Sequence, residues 1–444
     1  MKAAVIGKDG RTSAIVDSLE RTGRLETPIV NLSSGKLGAT TESREEAKAK
    51  LRENARKFRP DFVVIGPEEP LVEGFVNLLR DEFGIPCVGP TKELAWLEAS
   101  KSYTRQLLEK HGIGGNPRFR VFTDTTGIES YLDALGHFVI KPDGLTGGKG
   151  VKVSDVHLFS LKEATDYCRE LFRAGQRSIL VEEKLDGEEF SLQSFSDGVD
   201  VKHMPIVQDH KRVGVGDTGP NTGGMGSYSC NDGSLPFLTS ADVQMARSIN
   251  ADVVRALQLE TGESYKGILY GGFIATADGI KLIEYNVRFG DPEALNVLSL
   301  LQTDFVDVCQ GIINGTLGTI HMAFASRATV CKYLVPEQYP DNPVTNVEVD
   351  LSRLPAESQN LKIFEAAVDE RDGKKFLTGS RAIAVVGISD ELDEAERIAE
   401  EAAKSVTGPV YHRPDIGSRE LINSKVDHMR RVRSRSSLSS ALSP

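Results

Sequence analysis

The sequence predicts a protein of the α/β and α+β classes, with a parallel-sheet domain, a larger second domain and a small α+β lobe. The first hundred residues alternate short apolar runs with helical patterns, which is typical of a parallel sheet covered by helices on both faces. A mixed pattern begins near Ser100, and from about Ala323 strand-like runs precede one amphipathic helix. Because 444 residues exceed what one hydrophobic core usually supports, we expect domains at residues 1–100, 101–322 and 323–418.

The first domain reads as alternating strands and helices. Its predicted strands are Ala3–Gly7, Asp61–Gly66 and Pro86–Gly89, and its predicted helices are Ser43–Phe58 and Leu71–Phe83. Open α/β sheets bind ligands where their strands end. The turns Gly7–Arg11 and Gly66–Pro70 are therefore candidate ligand-binding segments.

The second domain contains long helical patterns and a strong hairpin signal. Its predicted helices are Lys101–His111, Leu161–Ala174, Ala241–Leu257 and Pro292–Ile313. Its predicted strands are Phe138–Lys141, Ser178–Glu183, Gly267–Thr276 and Ile280–Val287. The last two strands flank Asp278-Gly279, a dipeptide that favours a hairpin turn.

The third domain has predicted strands at Thr329–Val335, Lys362–Ala367 and Arg381–Ser389 and a predicted helix at Glu391–Ser405. The chain then becomes low in complexity, with four arginines within Arg430–Arg435. We predict that residues 419–444 are a disordered tail. A weak nucleic-acid or phospho-regulatory role for this tail stays open as an alternative.

The overall composition argues against nucleic-acid and membrane partners. The formal net charge is −11, and no apolar run reaches the length of a membrane span. The five cysteines lie far apart without metal-ligand or redox spacing, which indicates free thiols in a reducing compartment. We expect a cytoplasmic protein that is a monomer or a homodimer.

Two residues on the last predicted strand of the second domain suit a metal ion. Glu284 and Asn286 are two positions apart, so their side chains leave the same face. Oxygen ligands on one face suit Mg²⁺, which takes its remaining ligands from water and nucleotide phosphates. A solvated strand face is the alternative, and the charged segment that follows, from Arg288 to Glu293, argues against it.

The segment from Lys141 to Gly150 reads as a phosphate cradle. Its glycines free main-chain donors, and Lys141 and Lys149 add positive charge. It lacks the lysine–hydroxyl pair of a Walker loop, and a glycine-rich hairpin tip is the competing interpretation. Further along, the cluster of Glu182, Lys184 and Glu189 suits either a nucleoside or a solvated surface.

The glycine-rich run Gln208–Tyr228 carries charged residues where a core segment would be apolar. Such loops let main-chain amides approach a ligand closely. Within it, His210 suits either a catalytic base or a ligand-orienting group.

Taken together, DHKRVGVGDTGPNTGGMG, EYNVRFGDPE, GPEEPLVEG, LEASKSYTRQLL and LDGEEFS resemble phosphoribosylamine–glycine ligases, also called glycinamide ribonucleotide synthetases. The resemblance runs from about residue 60 to about 418, in the family's order. It implies an ATP-grasp fold, with a pre-ATP-grasp amino-terminal domain and a two-lobed ATP-grasp domain whose flap lobe spans about 121–185. It also implies a reaction in which ATP drives the joining of glycine to 5-phosphoribosylamine through glycyl phosphate.

The resemblance further implies roles for individual residues. Lys101, Lys141 and the loop Gly147, Gly148, Lys149 and Gly150 would bind ATP phosphates, Glu182, Lys184 and Leu185 the adenine, and Glu189 the ribose. Glu284 and Asn286 would hold Mg²⁺ or Mn²⁺. The catalytic residues would be Asp209, Lys211, Arg288 and Asp291. The substrate-binding residues would be Gly10, Arg11, Glu68, Asp209, Asn221, Thr222, Gly223, Arg288 and Asp291.

One segment departs from the family pattern. The family has G-x-G-G-R-E-H after its first strand, whereas this chain has Gly7-Lys8-Asp9-Gly10-Arg11-Thr12-Ser13. Lys8 and Arg11 suit a phosphate, but Asp9 opposes an anion. A related ligase with a different amine acceptor is therefore one alternative. A non-catalytic nucleotide-binding protein is another, against which the intact metal and phosphate residues argue.

Overall fold

The computed structural model describes residues 1–32, 40–145 and 150–441, with backbone alone over 436–441. Its first elements are β1 (Ala3–Ile6), α1 (Gly10–Glu20), β2 (Val30–Asn31), α2 (Thr41–Phe58), β3 (Phe62–Ile65), α3 (Glu68–Val72), α4 (Phe75–Phe83), β4 (Cys87–Val88) and α5 (Lys92–Ala99). The strands form a parallel sheet in the order β2-β1-β3-β4. The sequence predicts one helix over Leu71–Phe83, but Gly74, with φ +79°, separates α3 from α4.

The next elements build a lobe with its own hydrophobic core. They are β5 (Phe119–Phe122), α7 (Ile128–Leu135), β6 (Phe138–Pro142), β7 (Lys152–Val153), α8 (Leu161–Arg173) and β8 (Ile179–Glu183), and they follow α6 (Lys101–Lys110), whose Leu107 and Leu108 belong to the large core. The four strands form an antiparallel sheet in the order β5-β8-β6-β7. We call β5 to β8 the flap lobe. Because its core is separate from the large core, the flap lobe forms a structural unit of its own.

The second layer of this region is another antiparallel sheet. The elements of this part of the chain, in order, are β9 (Glu188–Asp197), β10 (Val201–His203), β11 (Gln208–Asp209), β12 (Arg212–Gly214), β13 (Thr218–Asn221), β14 (Gly226–Ser229), α9 (Ser240–Thr261), β15 (Lys266–Thr276), β16 (Gly279–Asn286), α10 (Glu293–Leu300) and α11 (Phe305–Asn314). The sheet order is β10-β9-β15-β16. The single helix predicted over Pro292–Ile313 is two helices, because the Asp304 carboxylate caps α11 by accepting from the amides of Val306 and Asp307.

The remaining elements complete a sheet that spans two of the predicted domains. After a 3₁₀ turn (Leu317–Thr319) come β17 (Ala328–Pro336), β18 (Glu348–Val349), β19 (Leu361–Glu365), β20 (Val368–Arg371), β21 (Lys374–Leu377), β22 (Ile383–Ser389), α12 (Leu392–Ser405), β23 (Val410–Tyr411) and α13 (Arg419–Ala441). The large sheet runs β11-β14-β17-β22-β19, and β23 pairs with β17. Strands from the middle of the chain therefore form one edge of the carboxy-terminal sheet.

The carboxy-terminal segment differs from its prediction as a disordered tail. Residues Arg419–Ala441 form α13, which packs against β9 and β15. Its inner face buries Ile422, Met429 and Val432. Arg433 pairs with Asp242, with 2.6 Å between the guanidinium and the carboxylate. The acids that stabilise this basic helix lie far away in the sequence, so local composition did not reveal them.

Two expectations from composition concern the cysteines and membrane spans. All five cysteines carry free thiols, as predicted, and four of them are buried. Among the described helices, none combines the length and apolar character needed to cross a membrane.

Candidate active site

The site is centred on Glu284, which β16 presents next to four cations. Burial alone would raise the pKa of the Glu284 carboxyl, but the surrounding positive charges outweigh burial and lower it. In order of effect these charges are Lys211, Lys141, Lys101 and Arg288. Asn286 follows two positions later on the same strand, so both oxygens lie on one face, as the alternation of the strand predicts.

Lys141 is held in place by a buried ion-pair network. Its Nζ lies 2.6 Å from Glu182 Oε2, and the Glu182 carboxylate also pairs with Arg105. Arg105 donates in addition to the carbonyl of Ile283, at 2.8 Å. Burial opposes the charge on Glu182, yet Arg105 and Lys141 lower its pKa. The Glu182 carboxylate therefore orients Lys141, a contact that the sequence did not predict.

Lys101 and Tyr167 contact the described residues of the predicted phosphate cradle. Lys101 Nζ donates to the carbonyl of Gly144, at 2.8 Å. Burial lowers the pKa of Lys101, although Glu284 opposes this effect. The Tyr167 hydroxyl donates to the carbonyl of Gly150, whose φ is +84°. The predicted cradle residues Gly147, Gly148 and Lys149 lie outside the described residues.

Arg288 connects the end of β16 to the amino-terminal domain. Its Nε donates to Glu68 Oε2, and its Nη2 donates to Asn286 Oδ1, both at 3.1 Å. Nη2 also pairs with Glu98 at 3.1 Å, and the amide of Val287 donates to the other oxygen of Glu98. A single guanidinium thus fixes the angle of Asn286 relative to two carboxylates of the neighbouring domain.

The two carboxylates on Arg288 have opposite shifts. Burial opposes ionisation of Glu68, but Arg288 and Arg11 lower its pKa to about 2. Burial raises the pKa of Glu98 to about 7, and the negative charge of Glu68 adds to this effect. The fold therefore stabilises the charged form of Glu68, and it makes Glu98 easier to protonate than an ordinary glutamate.

Asp209 and Lys211 lie at the base of the glycine-rich loop. Oδ1 of Asp209 is buried and accepts no hydrogen bond from the described residues. Burial and the neighbouring Glu293 raise the pKa of Asp209. Burial opposes the charge on Lys211, yet four carboxylates, Glu189 first and then Glu284, raise its pKa. A buried carboxyl oxygen without a partner beside a cation is suited to a polar ligand.

Asp291 is enclosed by contacts from the carboxy-terminal lobe. Tyr333 donates its hydroxyl hydrogen to Asp291 Oδ1 at 2.6 Å, and Arg381 pairs with Oδ2 at 3.1 Å. Arg381 also donates to the carbonyls of Gly223 and Asp291, at 2.7 Å each. Asp291 therefore joins the glycine-rich loop to the third domain, rather than pointing into an open site.

The turn after β1 contributes packing and charge neutralisation. A Cβ at Gly10 would lie 1.9 Å from the Tyr333 hydroxyl, so this position requires glycine. Asp9 caps α1 by accepting from the Thr12 amide at 2.9 Å, and its other oxygen accepts from Arg11 Nε at 2.8 Å. Arg11 also donates to the carbonyl of Phe289. The amino terminus of α1 thus already holds a carboxylate.

A cleft of about 390 Å³ lies between this turn and β19. The size suits a small ligand. Its polar lining comes from both domains and includes Lys8, Asp9, Ser13, Asp17, Asn31, Glu357 and Glu365. Several of these residues belong to the segment that departs from the family pattern.

The remaining predicted site residues lie around these centres. Lys184 Nζ donates to the carbonyl of Ser154 in the flap lobe, at 3.1 Å, and Leu185 next to it is partly buried. Glu189 is exposed, 3.7 Å from Lys211. Thr222 donates to the carbonyl of Lys211 through both its amide and its hydroxyl. Asn221, at the end of β13, is exposed.

The donor set around Glu284 suits a divalent cation that takes ligands from a substrate. Within the described residues there is no cluster of three or more acidic, histidine or cysteine side chains that could hold a metal alone. One carboxylate and one amide oxygen on one strand face leave most positions for phosphate and water, which is how Mg²⁺ is usually bound. The surrounding cations would help to hold those phosphates.

Comparisons with known proteins cover nearly the whole chain. The models of the phosphoribosylglycinamide synthetase N domain, ATP-grasp (A) domain and C domain match residues 1–98, 99–294 and 329–419. The phosphoribosylamine–glycine ligase of Methanocaldococcus jannaschii is 45% identical over 445 residues, covering 98% of this chain and 100% of that protein. The chain belongs to the phosphoribosylamine–glycine ligase family.

Solved structures agree with this family and with its fold. The crystal structure of the phosphoribosylamine–glycine ligase from Thermotoga maritima matches with a TM-score of 0.76 at 28% identity, covering 94% of this chain and 100% of that one. A biotin carboxylase domain from Hydrogenobacter thermophilus, in complex with MgADP, shares the fold with a TM-score of 0.72 at 12% identity, covering 97% of each chain. The predicted fold class is confirmed: this family member is an ATP-dependent carboxylate–amine ligase with an ATP-grasp domain.

Sequence reasoning missed three residues of the site in this ligase: Glu98, Tyr333 and Arg381. A charged residue within the apolar face of α5 was a signal for Glu98, whose side chain is 5% exposed. Tyr333 and Arg381 lie in a strand and in the turn before a strand, with no local feature that marks them. Their importance arises from contacts across the domain boundary, which one sequence does not reveal.

We expect the substitution Gly10→Ala to destabilise this ligase by about 1–3 kcal/mol, the usual cost of overpacking, because the new methyl group overlaps the Tyr333 hydroxyl. Urea unfolding at neutral pH measures the loss. In the Tyr333→Phe background the hydroxyl is gone, so Gly10→Ala should lower the free energy of unfolding less there than it does in the wild type. Equal losses in both backgrounds would contradict this steric account.

A second prediction concerns pH. The folded-state pKa of Glu98 is about 7 against 4.5 for the ordinary group. Its contribution to stability is therefore fully present below pH 4.5 and is lost as the pH rises to 7. Between pH 4.5 and 8, wild-type stability should fall relative to Glu98→Gln by up to about 3 kcal/mol.

Urea unfolding across this pH range tests the prediction, with Glu109→Gln as the control because Glu109 is exposed on α6. The control and the wild type should have parallel profiles. If Glu98→Gln also runs parallel to the wild type, Glu98 does not hold a proton in the folded protein.

Proposed function

We propose that this chain uses ATP to join glycine to 5-phosphoribosylamine through glycyl phosphate, releasing glycinamide ribonucleotide, ADP and phosphate. The observation that carries the proposal is the convergence of four cations on the single carboxylate of Glu284. Such cations, gathered at one carboxylate, suit the ATP phosphates and a substrate carboxylate. The three family domains, matched in order along the chain, support the same reaction.

The first step is attack of the glycine carboxylate on the γ-phosphate of ATP, which brings two anions together. Lys101 and Lys141 are the proposed phosphate contacts, together with Gly147–Gly150. Glu182, through its pairing with Lys141, is proposed to set the position of that cation. Glu182, Lys184 and Leu185 are proposed to hold adenine, and Glu189 the ribose.

Glu284 and Asn286 are the proposed ligands of Mg²⁺, with Mn²⁺ as the alternative. When bound, this ion would offset the negative charge of the phosphate oxygens during transfer. Arg288, which donates to Asn286 Oδ1, is proposed to orient the amide and to stabilise the negative charge that develops on the carbonyl oxygen of the acyl group.

The second step is attack of the phosphoribosylamine nitrogen on the acyl carbon, with phosphate as the leaving group. The nitrogen must lose a proton, and Asp209 is the proposed acceptor because its Oδ1 is buried and has no hydrogen-bond partner in the described part of the chain. Lys211 would stabilise the departing phosphate. Thr222 and Gly223 would line the glycine site, with Asn221 at its entrance and Asp291 holding the loop through Arg381.

The amine acceptor is proposed to enter the cleft beside Gly10 and Arg11, with Glu68 fixing Arg288 behind it. The proposed division of labour follows the predicted domains at residues 1–100, 101–322 and 323–418. One observation favours a second candidate, a ligase with another acceptor amine. Asp9 caps the amino terminus of α1 and pairs with Arg11. The helix terminus and the Arg11 guanidinium, which could both bind a substrate phosphate, are therefore already bound to the Asp9 carboxylate.

Phosphate release from ATP distinguishes the two candidates. The protein is assayed with glycine, with and without freshly generated 5-phosphoribosylamine, and the product is identified by mass spectrometry. We expect release that requires both substrates and gives glycinamide ribonucleotide. Release that depends on glycine but is indifferent to phosphoribosylamine would instead support a different acceptor.

The metal proposal predicts a large loss of activity for Glu284→Gln. Removing a metal-ligand carboxylate should lower kcat/KM for ATP by about 100-fold or more, since even outer contacts of metal sites cost about 10- to 100-fold. Lys281→Gln is the matched control, since Lys281 lies on the same strand and its side chain donates to the carbonyl of Asn116 at 3.5 Å. Steady-state kinetics at several Mg²⁺ concentrations measures both. Full turnover by Glu284→Gln would rule out the assignment.

A further inference from the structure

The helix α13 reaches back to the glycine-rich loop through a lysine. Lys425 Nζ lies 2.7 Å from Asp217 Oδ2 and 3.4 Å from Glu188 Oε2. The side chain is 18% exposed, so these contacts are shielded from solvent. Asp217 lies in the turn between β12 and β13, and Glu188 begins β9. One cation thus connects two segments that flank the proposed nucleotide and substrate sites.

Asp217 is a point of convergence for three separate elements. Its Oδ1 lies 2.7 Å from Arg413 Nη1 and 3.1 Å from His210 Nδ1, while Oδ2 binds Lys425. Burial opposes ionisation of Asp217, but His210 and Lys425 lower its pKa. Its φ of +55° is left-handed, a conformation that needs support from the surroundings. The turn is therefore held by its contacts rather than by local preference.

The same turn has a second anchor. Asp415 accepts from the Gly216 amide at 2.9 Å and pairs with Arg413, which is fully buried. Arg413 also donates to the carbonyl of Arg212. The segment between the two strands is thus fixed on one side by Arg413 and on the other by α13.

The hairpin that this turn closes carries proposed active-site residues at its base. Lys211 precedes β12 and Thr222 follows β13, and the Thr222 amide donates to the Lys211 carbonyl at 2.7 Å. We call residues 211–222 the substrate hairpin. Because it is a two-stranded ribbon that belongs to none of the larger sheets described in the structure, its strands have no further sheet neighbours to hold them in place. Its orientation depends on where its turn is attached.

We propose that Lys425 is a positioning residue: it ties the turn of the substrate hairpin to the start of β9, so that Lys211 and Glu189 face each other across the site. His428 reinforces this attachment through Glu188, at 2.6 Å from Oε1. The helix that sequence composition assigned to a disordered tail is thereby part of the ligase machinery. This inference rests on the proposed function of Lys211 but not on the identity of the amine acceptor.

Hydrogen–deuterium exchange of the full chain without substrates tests the attachment directly. In Lys425→Met the apolar stem is kept and the charge is lost, so amides of residues 213–219 should exchange about tenfold faster, the effect of losing a charged hydrogen bond. Arg430→Met is the matched control, since Arg430 is exposed on the same helix and pairs with Asp427. Unchanged exchange in Lys425→Met would overturn the proposal, whatever the protein catalyses.

Kinetics then tests the consequence for the site. We expect Lys425→Met to lower kcat about tenfold with little change in the KM for glycine, because Lys211 is proposed to stabilise the departing phosphate, and Lys425→Arg to restore most of the activity. In an Asp217→Asn background, Lys425→Met should have a much smaller further effect, because the carboxylate that Lys425 connects to Glu188 is already lost. Multiplicative losses in the double variant, or no rescue by arginine, would show a merely structural role. Lys425→Gln provides the same comparison if the methionine variant does not fold.

Discussion

The architecture of the site depends on the guanidinium of Arg288. It binds Glu68 and Glu98 from the amino-terminal domain and Asn286 from β16 at the same time. Because the guanidinium is planar and its donors have fixed directions, the position of the amino-terminal domain determines the orientation of the Asn286 amide. Leaving such a cation without its carboxylates would be costly, because a buried charge needs partners. The domain interface and the proposed metal ligand are therefore one structural unit.

The same principle recurs around the nucleotide region. Lys141 is held by Glu182, which is held by Arg105, and Arg381 connects Asp291 to the glycine-rich loop. In each case a residue that is proposed to serve in the active site is oriented by a second, buried residue of opposite charge. Charged side chains that are already fixed in place need to move little when new charge develops on the reacting groups. The cations around Glu284 gain their effect from this fixed arrangement.

Much of the fold and part of the site could be predicted from the sequence, because both are encoded locally. The alternation along β16 placed Glu284 and Asn286 on one face, and Asp278-Gly279 marked the hairpin. The failures have physical causes. Asp304 starts a new helix inside an apolar run, and α13 is stabilised by acids such as Asp217 and Glu188, which lie 208 and 240 residues before their partners. Local patterns do not contain such partners.

The large sheet contains strands from two of the predicted domains, and this limits where the chain could be cut into fragments. β14 pairs with β17 along Gly226–Ser229, although family models place the two strands in different domains. A fragment ending before β17 would expose the unpaired edge of β14, and such edges template aggregation. The boundaries along the sequence are thus poor places to cut or to exchange modules. Evolutionary recombination within this family would have to carry β11, β14 and their sheet partners together.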